Sequence, residues 1–241
     1  LLLGATAIVG GAMPSVACTG ISLMAADGSY VQARTIEWSH GTLKSEYVII
    51  PRGQKLRSYT PSGANGIEFT SRYGVVGLAV VESDFIAEGI NEAGLSAGLF
   101  FFPDYGSYTS YDSRHNHTTL ADLQVVEWLL TQCATIDQVK EMIKSLHIVG
   151  LEQGAVIHWR IGEESGRQVE MEIVDGKVHV YDNVVGVITN APGFEWQMAN
   201  LNNYVNLRPG DASPYALGDV TLTPIGGSSA MLGLHGDFTP P

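Results

Sequence analysis

The stretch Cys18-Thr19-Gly20-Ile21-Ser22-Leu23-Met24-Ala25-Ala26-Asp27-Gly28-Ser29-Tyr30-Val31-Gln32-Ala33-Arg34-Thr35-Ile36-Glu37-Trp38 decides how the fold begins. Two extended runs, Cys18 to Ala26 and Tyr30 to Trp38, flank Asp27-Gly28, a dipeptide that favours a tight hairpin turn because glycine accepts positive φ. Further apolar or alternating runs follow at Tyr47 to Ile50, Val75 to Val80 and Leu95 to Phe102, with Gly, Pro, Asn and Ser clusters between several of them. The period then changes. Leu120, Leu123, Val126 and Leu130 recur at helical spacing, as do Ile136, Val139, Ile143 and Leu146. Thr135 with Gln138 has the form of a capping box for the second helix, and Thr119 with Asp122 is a weaker one for the first. Strand patterns resume at Val156 to Ile161, Gln168 to Val174, Lys177 to Tyr181 and Val184 to Thr189, with turns at Gly162 to Gly166 and Asp175-Gly176. Strands, then helices, then strands predict an α+β fold in which helices cover antiparallel sheet.

Upstream of Cys18, Leu1 to Val9 is a short apolar run, and Ser15-Val16-Ala17 offers small residues at a cleavage point. That has the form of the end of a secretory signal, so residues 1–17 are expected to be a signal remnant and the mature chain to be exported, periplasmic or secreted from a bacterium. The run is too short to span a bilayer, and no later segment offers eighteen consecutive apolar residues. The formal net charge is −12, from 25 acidic and 13 basic side chains. A field of that sign repels phosphate backbones and anionic membranes, so neither nucleic acid nor a lipid surface is an expected partner. An anionic substrate would need a local basic group.

Three readings of Cys18 stand on position alone. It is a lipid-modified cysteine, although Ser15 replaces the Leu-like residue usual three places earlier. It is a structural strand residue, or a disulfide partner of Cys133. Or cleavage after Ala17 makes it the first residue, with thiol and α-amine on one residue. The amine, with a reference pKa near ~8, then takes the thiol proton and returns it to a leaving amine without any histidine. Cys133, in a helical stretch, reads as a small buried apolar residue.

Several blocks carry a resemblance. Cys18-Thr19-Gly20, Ala33-Arg34-Thr35 with the acid Glu37, Glu88-Gly89-Ile90-Asn91-Glu92-Ala93-Gly94-Leu95, Thr189-Asn190-Ala191-Pro192 with Glu195-Trp196, Asn202-Asn203-Tyr204, and Gly236-Asp237-Phe238-Thr239-Pro240-Pro241 occur in order. Together they resemble the choloylglycine hydrolase family, which contains bile salt hydrolases and penicillin V acylases. The likeness runs from Cys18 to Pro241 and is nearest in look to bile salt hydrolases of Gram-negative gut bacteria. It implies an N-terminal-nucleophile αββα four-layer sandwich over residues 18–241, incomplete at its C-terminal end because the family's last catalytic arginine falls beyond Pro241. It implies hydrolysis of the amide between a bile acid and glycine or taurine, with penicillin V or another N-acyl compound as the alternative substrate. It also implies a homotetramer and no cofactor. A non-catalytic exported or lipid-anchored binding protein is the reading from another class.

The resemblance assigns roles residue by residue. Cys18 attacks the carbonyl to form a thioester that water hydrolyses. Arg34 sits beside the thiol, favours thiolate and binds the substrate's negative charge. Glu37, where aspartate is usual, orients the α-amine. Asn91 and Asn190 contact the reacting carbonyl and its neighbourhood, Asn91 also serving substrate binding; the alternative for each is a turn residue. Regular alternation cannot put Arg34 and Glu37 on one face, so the strand must bulge or end between them.

His115-Asn116-His117 is the nearest histidine pair, but without acids or cysteines beside it no metal is expected. Asn116-His117-Thr118 fits a glycosylation sequon, which matters only in a eukaryotic secretory pathway. Phe100-Phe101-Phe102 with Tyr105 and Tyr108 reads equally as a pocket lining for a steroid or acyl body and as ordinary packing.

Overall fold

The computed structural model describes residues 18–37, 43–151, 156–204 and 214–222. The expected signal remnant (1–17), Trp38 and the block from Gly236 to Pro241 lie outside these residues. In chain order the strands are β1 (Thr19–Met24), β2 (Tyr30–Thr35), β3 (Ser45–Ile50), β4 (Lys55–Arg57), β5 (Glu68–Thr70), β6 (Val75–Val80), β7 (Glu82–Asn91), β8 (Ser96–Phe101) and β9 (Thr119–Ala121). Helices α1 (Val125–Gln132) and α2 (Ile136–Met142) follow. The chain then forms β10 (His147–Val149), β11 (Ile157–Gly162), β12 (Gln168–Val174), β13 (Lys177–Asp182) and β14 (Val187–Thr189). Helix α3 (Phe194–Leu201), β15 (Tyr215–Leu217) and β16 (Val220–Leu222) complete the described elements.

By internal contacts the chain divides into two units, Leu1–Ala191 and Pro192–Pro241. The first holds a three-stranded antiparallel sheet in the order β14-β1-β2 and a seven-stranded antiparallel sheet in the order β13-β12-β11-β8-β7-β6-β3. The expected hairpin forms, with Gly28 at φ 84° and the Asp27 carboxylate accepting from Ser29 N–H at 2.9 Å. In the second unit α3 runs on into a single 3-10 turn at Asn202–Tyr204, and β15 and β16 pair as a hairpin. No helix among the described residues is long and apolar enough to cross a membrane.

Strand alternation divides the large sheet into two chemically different faces. Ile157, Trp159 and Ile161 of β11 and Val169, Met171 and Ile173 of β12 join Val125, Leu129, Leu130, Ile136, Val139 and Ile143 of the helical segment in one buried core. The opposite face carries His158 and Arg160, with Phe100 and Gly98 as their partners on β8 and Glu170 opposite Arg160 on β12. This polar face meets the small sheet. Ser22 Oγ donates to Gln168 Oε1 at 2.8 Å, and Ser96 Oγ to Gln32 Oε1 at 2.7 Å. Both faces of β11 are therefore buried, one by helices and one by a second sheet. Helix layer, sheet and sheet are the first three layers of the expected sandwich.

Helix α2 is capped as its sequence predicts. Thr135 Oγ1 accepts from Gln138 N–H at 3.2 Å, while Gln138 Oε1 reaches one residue further back to Ala134 N–H at 2.7 Å. The box expected at Thr119 is a correction. Thr119 belongs to β9, which pairs in parallel with β10, and its hydroxyl donates to His115 C=O at 2.9 Å. The first helix opens instead as a 3-10 turn at Asp122–Gln124, and its N-cap Ala121 makes no side-chain bond. The strand expected from Val184 starts only at Val187. Asn183 holds the intervening turn, accepting from Gly186 N–H at 3.0 Å and donating to Val187 C=O at 2.9 Å.

Candidate active site

Strand β1 delivers Cys18 and its partner β2 delivers Arg34, because the hairpin register sets Gly20 against Arg34 and Thr19 against Thr35. On the other side of β1, Thr19 pairs with Thr189, whose hydroxyl donates to Cys18 C=O at 3.3 Å. The pairing ends there, and Cys18 and Asn190 are the next residues beyond it on the two strands. Cys18 is 6% exposed and Asn190 5%. Strand β2 ends at Thr35, so Glu37 is released from alternation and turns, exposed, to the same pocket as Arg34.

That pocket has a volume of about 200 Å³. Cys18, Arg34 and Glu37 lie in its wall with apolar groups that include Leu43, Phe85, Leu99, Phe100, Phe101 and Leu123. The aromatic run splits between its two readings. Phe100 and Phe101 line the pocket, whereas Phe102 stacks on Tyr105 with centroids 6.0 Å apart and on His158 at 4.4 Å. Tyr108 is a packing residue, its hydroxyl accepting from Ile157 N–H at 3.0 Å and donating to Ile157 C=O at 3.2 Å. Val81, also in the wall, holds φ 70°, a region that costs a β-branched residue on the order of 1–3 kcal/mol.

Arg34 is deeply set. Its guanidinium lies 4.1 Å over the Phe100 ring and donates to the carbonyls of Ala87, at 3.2 Å, and Leu99. Its Nη1 is 3.8 Å from Glu88 Oε2. Burial pushes its pKa below the ordinary arginine value, while Glu88 and the charge and hydrogen bond of Cys18 act in the other direction. Asp122, also in the pocket lining, is pushed up to about 6 by burial, against hydrogen bonds from Leu123 and Leu151 N–H.

Asn91 requires a correction. It lies at the end of β7, outside the pocket lining, and every one of its side-chain hydrogen-bonding groups is committed to backbone. Its Nδ2 donates to Leu130 C=O at 2.8 Å and Cys133 C=O at 2.7 Å, and its Oδ1 accepts from Ala93 and Leu95 N–H, both at 3.0 Å. The turn-residue reading is the one the geometry shows, and no donor remains for a substrate carbonyl. Cys18 and Cys133 are both free thiols. Cys133 is fully buried at the end of α1 and burial pushes its thiol up to about 12.

Sequence reading missed Arg160 and the part played by Glu88. Arg160 is 1% exposed, and its Nη2 donates to Glu88 Oε1 at 2.7 Å. The available signal was the alternation of polar His158 and Arg160 with apolar Ile157, Trp159 and Ile161.

Among the described residues, His158, Glu170 and Glu172 are the group whose donor atoms, all within 4.8 Å, could hold a metal. His158 Nδ1 is 3.2 Å from Glu170 Oε1 and 3.8 Å from Glu172 Oε1. Burial lowers the imidazole's proton affinity, but the two carboxylates outweigh it and leave the pKa raised. His115 and His117 lie in the 3-10 turn Ser113–Thr118, where His115 stacks on His147 at 4.6 Å.

The sheets meet closely at Gly20. A Cβ there would lie 2.6 Å from Ile188 Cγ2 and 2.8 Å from both Arg160 Nη1 and Phe100 Cζ. Gly20→Ala is expected to cost about 1–3 kcal/mol in denaturant unfolding, since one added methyl must force the sheets apart beside Cys18. Wild-type stability in that variant would show that the contact yields freely.

A model of linear amide C–N hydrolases, choloylglycine hydrolase family, matches residues 18–241. The bile salt hydrolase/transferase of Clostridium perfringens is 33% identical over 230 residues, spanning 92% of this chain and 68% of the relative. That of Bifidobacterium longum is 27% identical over 228 residues, spanning 93% and 70%. A mutant conjugated bile acid hydrolase from C. perfringens superposes with TM-score 0.75 at 32% identity, covering 92% of this chain and 68% of that one. Penicillin V acylase from Agrobacterium tumefaciens superposes with TM-score 0.67 at 25% identity, covering 78% and 57%.

Proposed function

This chain belongs to the choloylglycine hydrolase family of linear amide C–N hydrolases, and from that membership we propose that it cleaves glycine- or taurine-conjugated bile salts with Cys18 as an N-terminal nucleophile. The observation that carries the reading is that Cys18 and the buried cation Arg34 line one mainly apolar pocket, with Glu37 and Asp122 as its acidic groups. A conjugated bile salt is an apolar body joined by an amide to an anion, so it needs apolar walls, a nucleophile at the amide and a nearby cation. The two similar bacterial relatives are bile salt hydrolases by name.

In this mechanism export removes residues 1–17 and frees the Cys18 α-amine. The amine accepts the thiol proton as sulfur attacks the carbonyl carbon. Asn190, which directly follows the Thr189 paired with Thr19, is the side-chain donor proposed for the developing oxyanion. Glu37 orients the amine, and Arg34 favours thiolate. Collapse of the tetrahedral adduct breaks the C–N bond, and the leaving nitrogen takes the proton held by the α-amine. Water then cleaves the thioester, giving the bile acid and restoring the thiol.

The structural likeness to a penicillin V acylase supports that substrate as a second reading with the same residues. Turnover of glycocholate, taurocholate and penicillin V, measured side by side, separates them. Higher kcat/KM on the bile salts is expected; cleavage of penicillin V alone overturns the bile-salt reading. Mass spectrometry of the mature protein checks the N-terminus, where an unmodified cysteine is the expected first residue.

A further inference from the structure

We propose that Arg160 is a positioning residue for the reaction, holding Glu88 away from Arg34 and binding the Cys18 hairpin to the large sheet. The proposal rests on the reading of Cys18 and Arg34 given above. Arg160 stands on β11, outside the pocket lining, and touches no reacting group. Its Nη1 donates to the carbonyls of Ile21 on β1, at 3.4 Å, and Ala33 on β2, at 3.3 Å. Its Nη2 donates to Glu88 Oε1 on β7 at 2.7 Å. One side chain thus ties both strands of the hairpin that carries Cys18 and Arg34 to the sheet behind them.

The path from Arg160 to Glu88 crosses β8, and Gly98 keeps it open. Gly98 is the register partner of both Arg160 and Glu88. A Cβ at position 98 would come within 3.2 Å of both carboxylate oxygens and the carboxyl carbon of Glu88. Glu88 therefore lies between two guanidiniums, bonded closely to Arg160 and facing Arg34 Nη1 at 3.8 Å. The Phe100 ring lies below both cations, with Arg34 at 4.1 Å and Arg160 at 5.8 Å from its centroid.

This arrangement governs how much positive charge reaches the Cys18 thiol. A carboxylate engaged by Arg160 leaves the Arg34 field partly uncompensated. Without Arg160, Glu88 has Arg34 as its remaining cation and swings to it. The nearer negative charge cancels the field that favours thiolate and draws the guanidinium off the sulfur.

Arg160→Met tests this in the mature protein. The readouts are steady-state kinetics and the pH dependence of Cys18 alkylation by iodoacetamide, followed by peptide mass spectrometry to separate Cys18 from Cys133. The variant is expected to lose about tenfold in kcat with KM within about twofold, and its alkylation midpoint is expected about one pH unit higher. A residue that served only the fold would lower the active fraction and leave the midpoint in place. Arg160→Lys retains the charge and is expected to recover most of the midpoint. The double variant Arg160→Met with Glu88→Gln removes the stranded carboxylate, protects against loss of folding from an unpaired buried charge, and should bring the midpoint back toward wild type. An unchanged midpoint and kcat in Arg160→Met, or a double variant shifted as far as the single one, overturns the proposal. Failure of the underlying reading would look different: Cys18 in the wild type would then be dispensable for turnover.

Discussion

Cys18→Ser is expected to lower kcat/KM on conjugated bile salts by about 10³-fold or more, with the unfolding transition close to that of wild type. The α-amine is matched to a thiol, whose reference pKa is near ~8.5, and is far too weak a base to ionise a hydroxyl appreciably. The buried Arg34 cation suits an anionic sulfur better than a neutral hydroxyl. The fold should tolerate the exchange because Cys18 contributes only a small group to a local cluster with Phe100 and Ile188, apart from the main core. Rates from progress curves, paired with a denaturant melt, measure both halves of this prediction. Undiminished turnover would remove Cys18 from the chemistry.

The second large effect lies in stability. Glu127 on α1 is 2% exposed, and burial, reinforced by Asp84, pushes its carboxyl up to about 8. A folded pKa above the unfolded value means that the folded state binds the extra proton, so stability is fullest below about pH 4.5 and is lost as pH rises through about 8. Glutamine reproduces the neutral acid and can still accept from Gln124 Nε2, now 3.2 Å from Glu127 Oε2. Glu127→Gln should therefore match wild type near pH 5 and exceed it by about 3–5 kcal/mol near pH 9. Urea melts at the two pH values measure the difference. Equal pH dependence in the two proteins would mean that Glu127 titrates normally in the fold. Asp122, raised to about 6, adds a loss of the same sign to both proteins.

Local patterns carried much of the secondary structure. The strands at Val75–Val80 and Gln168–Val174 have the ends their apolar runs predict, and Thr135 caps α2 through Gln138. Strand β7 was not legible as a strand. Its first residues are Glu82, Ser83 and Asp84, and its pairing with β6 shifts register at Leu78/Ala79 and Ala79/Val80, so no clean alternation survives. Of the residues named from ordered blocks of sequence, Cys18, Arg34 and Glu37 line one pocket. Asn91 misled because an asparagine in a Gly-rich block has two uses, and only its four backbone bonds reveal which one this chain employs.

Sequence alone determined the hairpin, the two consecutive helices and the arginine that follows Cys18 across the turn. These are short-range features, fixed by turn chemistry, periodicity and residue type. Tertiary structure decided what the polar positions of β11 and β12 do. An alternating strand normally shows its polar side to water, yet His158, Arg160, Glu170 and Glu172 are all buried because the Cys18 sheet covers that face. Charges removed from water must find partners at fixed distances. Which partners they find depends on strand order and on the gap left by Gly98, and neither is a local property of the chain.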